Sequence, residues 1–286
     1  MAHVFSASYW SFLLAPMPAM VVARSLGKRL VLHYHSGEAA DHLARWGRLV
    51  HPWLRLADEI VVPSEYLRGV FARHGYRARV IPNVVDTSSF RYRVRQPLRP
   101  RLLSTRNFEA HYRVENTLQA FAILKKRYPD ATLTLAGYGS LERRLRERAS
   151  SLGQGGVRFV GRVEPGSMPA LCDEADVFVN SSVIDNQPVS VLEAFAAGMP
   201  VVTTGTGGIA AMVRDGEIGR LVPADDPEAM AAAVARLLEE PERALLMAAQ
   251  ARREAMRHTW PQVRQAWAAV HSGRVIEDRR AGRDGR

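Results

Sequence analysis

The sequence predicts an α/β protein built on parallel sheets, and three observations support that prediction. Short apolar segments alternate with longer segments of helical periodicity over residues 101–230. The joins between them are short and rich in Gly, Pro and Asn. The chain has 286 residues, which is enough for two domains with substantial cores. We therefore expect doubly wound parallel sheets with helices on their faces.

The elements of the C-terminal part follow in order from this pattern. We predict strands at Arg101–Thr105, Ala131–Ala136, Val157–Val160, Asp176–Asn180, Met199–Thr204 and Arg220–Val222. We predict helices at Glu115–Arg127, Leu141–Leu152, Met168–Glu174, Val189–Ala197, Pro227–Glu239 and Trp260–Val270. Strands that alternate with helices in this way form parallel sheets.

The N-terminal part has the same style with fewer units. Strands are predicted at Arg29–His33, Glu59–Pro63 and Arg79–Ile81, and His3–Ser6 resembles the end of a strand. Because so small a sheet has a thin core and an open edge, we expect this domain to lack its start. The predicted organisation is a partial first domain over 1–95, a second domain over 96–258, a returning helix over 259–271 and a disordered tail over 272–286.

Composition excludes several classes of protein. Hydrophobic residues make up 47% and charged residues 24%, as in soluble globular proteins. The apolar stretch 12–22 is interrupted by Pro16 and Pro18, and no stretch approaches the roughly 18 apolar residues of a membrane span. The single cysteine, Cys172, excludes an internal disulfide framework and favours a cytoplasmic location. Four histidines are not spaced as metal ligands, so no metal site is predicted: His51, His74, His111 and His258.

The net charge of +10 permits a nucleic-acid partner, an anionic membrane face or a solvated basic surface. The basic runs are scattered and no nucleic-acid-binding motif accompanies them, so we expect no nucleic-acid partner. A peripheral contact with the inner face of a membrane stays open as an alternative to plain solvation.

The segment 185–204 is the most informative part of the chain. Asn186 or Gln187 can cap a helix, Pro188 suits its first position and Gly198 suits its C-terminal end. A helix start is a binding site for phosphate, and Glu193 lies close enough to it to reach sugar hydroxyls. The alternative is a helix that simply packs on the sheet, with Asp185 solvated.

Together these features resemble the retaining glycosyltransferases of family 4, whose GT-B fold has two Rossmann-like domains. Asp185 and Glu193 fall on the Glu-x7-Glu motif of that family. Other segments that resemble the family occur in the same order, namely Val80–Asp86, Ala136–Gly139, Val157–Arg162, Ala175–Val179 and Gly207–Ile209. The resemblance covers nearly the whole chain and implies that the last helix packs back onto the N-terminal domain.

The resemblance implies a role for each matching residue on the donor side. Glu193 would bind the ribose of a nucleotide sugar, Val189 and Ser190 would offer backbone N–H groups to the distal phosphate, and Asp185 would contact the transferred sugar. The remaining matches are Arg106 as the phosphate-binding arginine, Gly137 beside the nucleotide and Arg162 near the base. The alternatives are a surface ion pair for Arg106 and an ordinary strand-to-helix turn for Gly137.

His35 matches the active-site histidine of the family, with His33 as the competing choice and a hydrogen-bonded structural histidine as the alternative. The chain also departs from the family pattern. Asp185 stands in place of the first glutamate, and Tyr112 occupies the place of the usual lysine, beside Arg113, which could supply the charge. The glycine-rich loop that follows the first strand in the family is missing.

The implied reaction moves a sugar from a nucleoside-diphosphate sugar to an acceptor hydroxyl with retention, without a metal or other cofactor. The acceptor would be a glycan, a lipid-linked molecule or a small molecule. Rival hypotheses are a related epimerase or phosphorylase, a truncated, non-catalytic protein that binds nucleotide sugars or regulates a partner, and a basic membrane-docking adaptor.

Overall fold

A computed structural model of the protein describes residues 1–152 and 155–273. The predicted disordered tail lies, from residue 274 onward, outside these residues. The chain divides into two compact units, which are described separately below. The first unit contains Met1–Pro63, Arg68–Pro82 and the segment that starts at Trp260, and the second contains Ser64–Leu67 and Asn83–Thr259.

Strands and helices alternate along much of the described part of the chain. The strands are β1 (Ala2–Ser6), β2 (Leu30–Tyr34), β3 (Glu59–Val62), β4 (Ala78–Val80), β5 (Arg101–Ser104), β6 (Thr132–Ala136), β7 (Val157–Gly161), β8 (Val177–Asn180), β9 (Val201–Thr204) and β10 (Arg220–Val222). The helices are α1 (Tyr9–Leu14), α2 (Pro16–Ser25), α3 (Ala39–Arg45), α4 (Gly47–Leu54), α5 (Glu65–Arg73), α6 (Val114–Arg127), α7 (Glu142–Ser151), α8 (Met168–Glu174), α9 (Val189–Ala196), α10 (Ile209–Met212), α11 (Pro227–Glu239), α12 (Pro241–Ala255) and α13 (Trp260–Ser272).

The sheet of the first unit is parallel, with the strand order β1-β2-β3-β4. All five residues of β2 are buried, as expected of a strand that lies inside a parallel sheet. Helix α13 packs on this sheet, because Val263 and Val270 join Val31 and Val61 in one apolar cluster. The last helix of the chain is therefore part of the first unit.

The second unit has a six-stranded parallel sheet in the order β10-β9-β8-β5-β6-β7. Apolar clusters contribute to the core of this unit; one includes Leu118, Phe121 and Val234, and another includes Val191 and Phe195. Strand β5 lies between β6 and β8, so the order of the strands reverses between β5 and β8. That reversal point is where open parallel sheets bind ligands.

The α/β prediction with two parallel sheets is confirmed, and every predicted strand is present. Gly198 has φ +72°, the left-handed conformation expected at the end of α9. Helix α12 and the helices of the first 95 residues were not predicted. Those helices are mostly short, and α4 contains Pro52, so their periodicity is weak.

The boundary between the units differs from the predicted one at residue 95. Residues 83–95 belong to the second unit. The reason is a buried ionic network in which Arg93 pairs with Asp176 at 2.7 Å, and the fully buried Arg95 donates to the carbonyls of Cys172 and Ala197. These contacts hold the Arg93 and Arg95 guanidinium groups inside the second unit and so fix the segment there.

Candidate functional site

The predicted donor residues of the second unit gather at the carboxyl ends of two neighbouring strands. Arg106 follows β5, and Asp185 follows β8, on either side of the point where the strand order reverses. Because both strands end at the same edge of the sheet, the two side chains meet there. The fold thus places these residues where a ligand is expected.

The Arg106 guanidinium is the centre of this group. Its Nη1 donates to Ser190 Oγ at 3.0 Å, and its Nη2 donates to Asp185 Oδ2 in an ion pair. Its Cζ lies 4.2 Å from the centroid of the Tyr112 ring, a cation–π contact. The side chains of Arg106 and Asp185 are only 11% and 13% exposed, so this pair is sheltered from water rather than a surface ion pair.

Helix α9 starts beside Arg106. It begins at Val189, with Pro188 in the N-cap position, and no side chain in the described part of the chain caps it. The prediction that Asn186 or Gln187 caps this helix, with Pro188 as its first residue, is therefore wrong. A start without a side-chain cap leaves N–H groups and the positive end of the helix dipole for an anion, as the phosphate hypothesis requires.

The amide side chains of the loop before α9 hold the loop instead of the helix. Asn186 Oδ1 accepts from the Ser64 hydroxyl, and Gln187 Oε1 accepts from the Asn83 N–H at 2.6 Å. Asn83 Nδ2 also donates to the Gln187 carbonyl at 2.8 Å. Ser64 and Asn83 were not among the predicted site residues, because each is distant in sequence from the motif that it supports.

Two glycines fix the same loop from the other side. Gly207 has φ +53°, and a Cβ on it would overlap the Asp185 carbonyl oxygen. A Cβ on Gly208 would overlap the Asn186 carbonyl oxygen. The Gly208 N–H donates to the Asp185 carbonyl at 3.2 Å. The glycine pair of the sequence motif is thus explained by close backbone approach to the loop that carries Asp185.

Glu193 lies inside α9, and burial raises the pKa of its carboxyl to about 7, while the charge of Arg106 acts in the opposite direction. Within residues 1–152 and 155–273, its carboxylate has no hydrogen-bond partner. A half-buried carboxyl without a hydrogen-bond partner is unusual in a purely structural position. Glu193 is therefore available to a ligand.

Gly137 contacts protein backbone. A Cβ at this position would overlap the Arg106 carbonyl oxygen, and one on Gly139 would lie 2.7 Å from the Phe108 carbonyl oxygen. The Phe108 N–H donates to the Tyr138 carbonyl at 2.8 Å, which joins the loops that follow β5 and β6. Gly137 thus positions Arg106, and its predicted place beside a nucleotide stays a prediction.

The two other predicted donor-site arginines have contacts of their own. Arg113 Nε lies 3.0 Å from Asp225 Oδ1, so its guanidinium pairs with that carboxylate, and Tyr112 is the residue that contacts Arg106. Arg162 is exposed, 3.6 Å from Glu164, with its Cζ 5.6 Å from the Tyr138 ring centroid. Both assignments stay predictions.

The predicted histidine lies in the first unit, just after β2. The rings of His33 and His35 are 4.0 Å apart between centroids, and Phe5 and Trp267 lie 4.8 and 4.7 Å from His33. Among the residues that the structure describes, neither ring nitrogen of His33 has a hydrogen-bond partner, nor has Nε2 of His35. Burial lowers the pKa of both, that of His33 to about 3, so both imidazoles are neutral at physiological pH.

No group of three or more His, Cys, Asp or Glu side chains in the described ranges could hold a metal ion. Cys172 is buried, and burial raises the pKa of its thiol to about 12, which makes it an unreactive packing residue.

Comparison with known protein families now identifies the chain. Residues 90–254 match the model of the family described as glycosyl transferases group 1, and residues 3–89 match glycosyltransferase family 4. The chain belongs to the group 1 glycosyltransferases. The family resemblance noted in the sequence is thereby confirmed.

Several curated glycosyltransferases are similar to the chain. A glycogen synthase of Mycobacterium tuberculosis is 29% identical over 265 residues, which cover 90% of this chain and 63% of that protein. A phosphatidyl-myo-inositol mannosyltransferase of Mycolicibacterium smegmatis is 28% identical over 254 residues, which cover 86% of this chain and 65% of that protein. The chain thus spans just under two thirds of the length of these relatives.

Solved structures show the same fold. Alr3699/HepE of Anabaena in complex with UDP superimposes with a TM-score of 0.80 at 18% identity, covering 95% of this chain and 78% of that one. Sucrose-phosphate synthase of Thermosynechococcus elongatus gives a TM-score of 0.77 at 21% identity, covering 95% and 72%. The GT-B fold predicted for this glycosyltransferase is confirmed.

Proposed function

We propose that the second unit of this chain binds a nucleoside-diphosphate sugar and that the protein transfers the sugar to an acceptor hydroxyl with retention of configuration. One observation supports this most strongly. Arg106 bridges the uncapped start of α9 and Asp185, and an unpartnered Glu193 lies in the same helix.

The diphosphate would bind Arg106 and the N–H groups of Val189 and Ser190. A guanidinium and a helix start both stabilise negative charge, and this charge increases as the diphosphate leaves. These groups would act in place of a metal ion, so we propose metal-independent transfer. Glu193 would accept hydrogen bonds from the ribose hydroxyls, which its free carboxylate permits.

The transfer would proceed on one face of the sugar. The bond from the anomeric carbon to the diphosphate oxygen breaks, the acceptor oxygen bonds to the same carbon, and the acceptor proton moves to the leaving diphosphate. Asp185 would hydrogen-bond the transferred sugar. His35, a neutral imidazole with an unpartnered Nε2, suits a hydroxyl group better than an anion, so we assign it to the sugar or the acceptor.

The nature of the acceptor is proposed from the relatives and from the surface of the first unit. One relative is named as a glycogen synthase and another as a phosphatidyl-myo-inositol mannosyltransferase, so we propose a glycan or lipid-linked acceptor. Helices α1 and α2 expose a group of apolar side chains: Trp10, Leu14, Val21, Val22 and Leu26. Residues 1–37 contain no acidic residue but include Arg24, Lys28 and Arg29.

Arg24 pairs with Asp58 and Arg29 pairs with Glu59, so the proposal depends on the exposed apolar side chains, which suit the surface of a bilayer. We therefore propose peripheral membrane contact through α1 and α2; none of the described helices is long and apolar enough to span a membrane. Leu14→Glu should reduce co-sedimentation with vesicles that contain phosphatidylglycerol. The matched control is Leu246→Glu on α12, since Leu246 is 67% exposed and Leu14 is 76% exposed. Equal binding by both variants would contradict the membrane proposal.

The donor proposal is tested by calorimetric titration of UDP, GDP and ADP into the wild-type chain and Glu193→Ala. We expect one nucleotide to bind in the micromolar range and the variant to bind at least about tenfold more weakly. The solved structures that contain UDP make it the first nucleotide to try. Absence of binding by the folded wild-type protein would contradict the proposal.

Turnover distinguishes transfer from the alternative, a protein that binds nucleotide sugars without catalysis. Product analysis by NMR, with the bound sugar conjugate and candidate acceptors, should show a new glycoside with the anomeric configuration of the donor. Inverted product would contradict retention, and binding without any product would favour the non-catalytic alternative.

A further inference from the structure

The ion pair of Arg106 with Asp185 affects how tightly an anion can bind at the start of α9. Both side chains are mostly buried, and Asp185 Oδ2 accepts directly from Arg106 Nη2. Arg106 Nη1 is engaged with Ser190, at the start of the same helix. The positive group to which a diphosphate would bind is therefore already neutralised by a carboxylate of the chain.

Asp185 cannot make room through its backbone. Its carbonyl accepts from the Gly208 N–H at 3.2 Å, and Gly207 contacts the same carbonyl so closely that no Cβ fits. Oδ1 accepts from the Asn186 N–H at 2.8 Å. Only the contact of Oδ2 with Arg106 can be exchanged, by rotation of the side chain.

Binding of a diphosphate next to Asp185 brings like charges together, so the carboxylate must give up Arg106. The displaced Oδ2 then needs a new donor, because a buried carboxylate oxygen without one is costly. The hydroxyls of a transferred sugar can donate to it, whereas the hydroxyls of a nucleoside diphosphate without the sugar are those of the ribose, which the proposed site assigns to Glu193.

We propose that Asp185 is a specificity-determining residue that competes with the diphosphate for Arg106 and so favours the sugar-bearing donor over the nucleoside-diphosphate product. This inference rests on the proposed donor site. After transfer, the return of Asp185 to Arg106 would weaken binding of the product and promote its release.

The test is the ratio of the dissociation constants of UDP and UDP-glucose, measured by calorimetry for the wild type and for Asp185→Asn. If GDP or ADP is the nucleotide that binds, that nucleotide and its glucose conjugate are used instead. Asparagine keeps the size of the side chain and removes its charge. We expect the variant to bind the nucleoside diphosphate roughly tenfold more tightly, the magnitude of one charged hydrogen bond, with little gain for the sugar conjugate.

Two further variants separate this effect from a general change in the site. Asp185→Glu keeps the charge and should keep a preference for the conjugate. Ser190→Ala removes the other contact of Arg106 without changing the charge and should alter both affinities by the same factor. Circular dichroism and the melting temperature establish that each variant is folded.

If the ratio of the two dissociation constants is the same in Asp185→Asn as in the wild type, the inference is overturned, while the proposed donor site still stands. Absence of binding of every nucleotide by the folded wild type would overturn the proposed function and this inference with it.

Discussion

The polar groups around Arg106 and those around His33 are buried in opposite ways. In the second unit, the Arg106 guanidinium donates to Ser190 Oγ through Nη1 and to Asp185 Oδ2 through Nη2, and its Nε has no hydrogen-bond partner among the described residues. In the first unit, His33 lies among aromatic rings with both nitrogens unpartnered. Buried polar groups are normally paired, so the difference indicates two kinds of site. One site is arranged around charge and suits an anion; the other is neutral and suits hydroxyl groups.

The largest effect is expected from a substitution that removes the cation of the charged site. Arg106→Ala should weaken nucleotide binding by about 100-fold or more, because it removes the cation and leaves Asp185 without its partner. Calorimetry measures the change. Arg143→Ala is the matched control, since Arg143 is an exposed arginine on α7, and it should bind like the wild type. A similar loss in both variants would indicate an effect of net charge alone.

The neutral site should respond differently. His35→Ala should lower turnover by about 10- to 100-fold and leave nucleotide affinity unchanged, because a neutral imidazole contributes to hydroxyl positioning rather than to anion binding. Steady-state rates and calorimetry on the same preparation measure both quantities. The same substitution of His33 decides between the two histidines. If His33→Ala alone lowers turnover, the assignment passes to His33.

The close contact between Gly137 and the Arg106 carbonyl can be tested by measuring the free energy of unfolding. Gly137→Ala should lower the free energy of unfolding by about 2 kcal/mol, because its Cβ would overlap the Arg106 carbonyl oxygen. Urea unfolding measures the change. At Gly166 a Cβ meets no atom within 4 Å, so Gly166→Ala should change stability little. Equal stability of the two variants would show that the loops after β5 and β6 separate easily.

His33 should destabilise the fold in acid. Its folded pKa, about 3, lies below the ordinary value of 6.5, so the unfolded state binds the proton more readily. Stability therefore falls as the pH decreases from about 6.5 toward 3. His33→Phe should reduce this acid loss by about 3 kcal/mol, measured by urea unfolding between pH 4 and 8. Parallel curves for the two proteins would contradict the burial of a neutral imidazole.

Glu193 should give the opposite pH dependence. Its folded pKa of about 7 lies above the ordinary 4.5, so stability is lost as the pH rises from about 4.5 through 7. The stability of Glu193→Gln relative to the wild type should therefore rise by about 2 kcal/mol between pH 5 and pH 8. The same titration series measures it. A constant difference across this range would show that the carboxyl titrates normally.

The sequence was sufficient to predict the strands, and the reasons are physical. Buried parallel strands are short apolar runs, and Gly198 requires a left-handed conformation that few other residues adopt. The roles of Ser64 and Asn83 could not be predicted, because hydrogen bonds to Asn186 and Gln187 connect residues more than 100 positions apart. The predicted cap of α9 was wrong for the same reason, because both amide side chains accept hydrogen bonds from these distant residues instead.

The central claim is that Arg106, the start of α9 and Glu193 bind one nucleoside diphosphate. The most direct measurement is a crystal structure of the chain with the nucleotide that binds in calorimetry. We predict a diphosphate within hydrogen-bond distance of Arg106 and of the Val189 and Ser190 N–H groups, with the ribose hydroxyls on Glu193. A nucleotide bound elsewhere in the second unit, with the Arg106–Asp185 ion pair intact, would contradict the account.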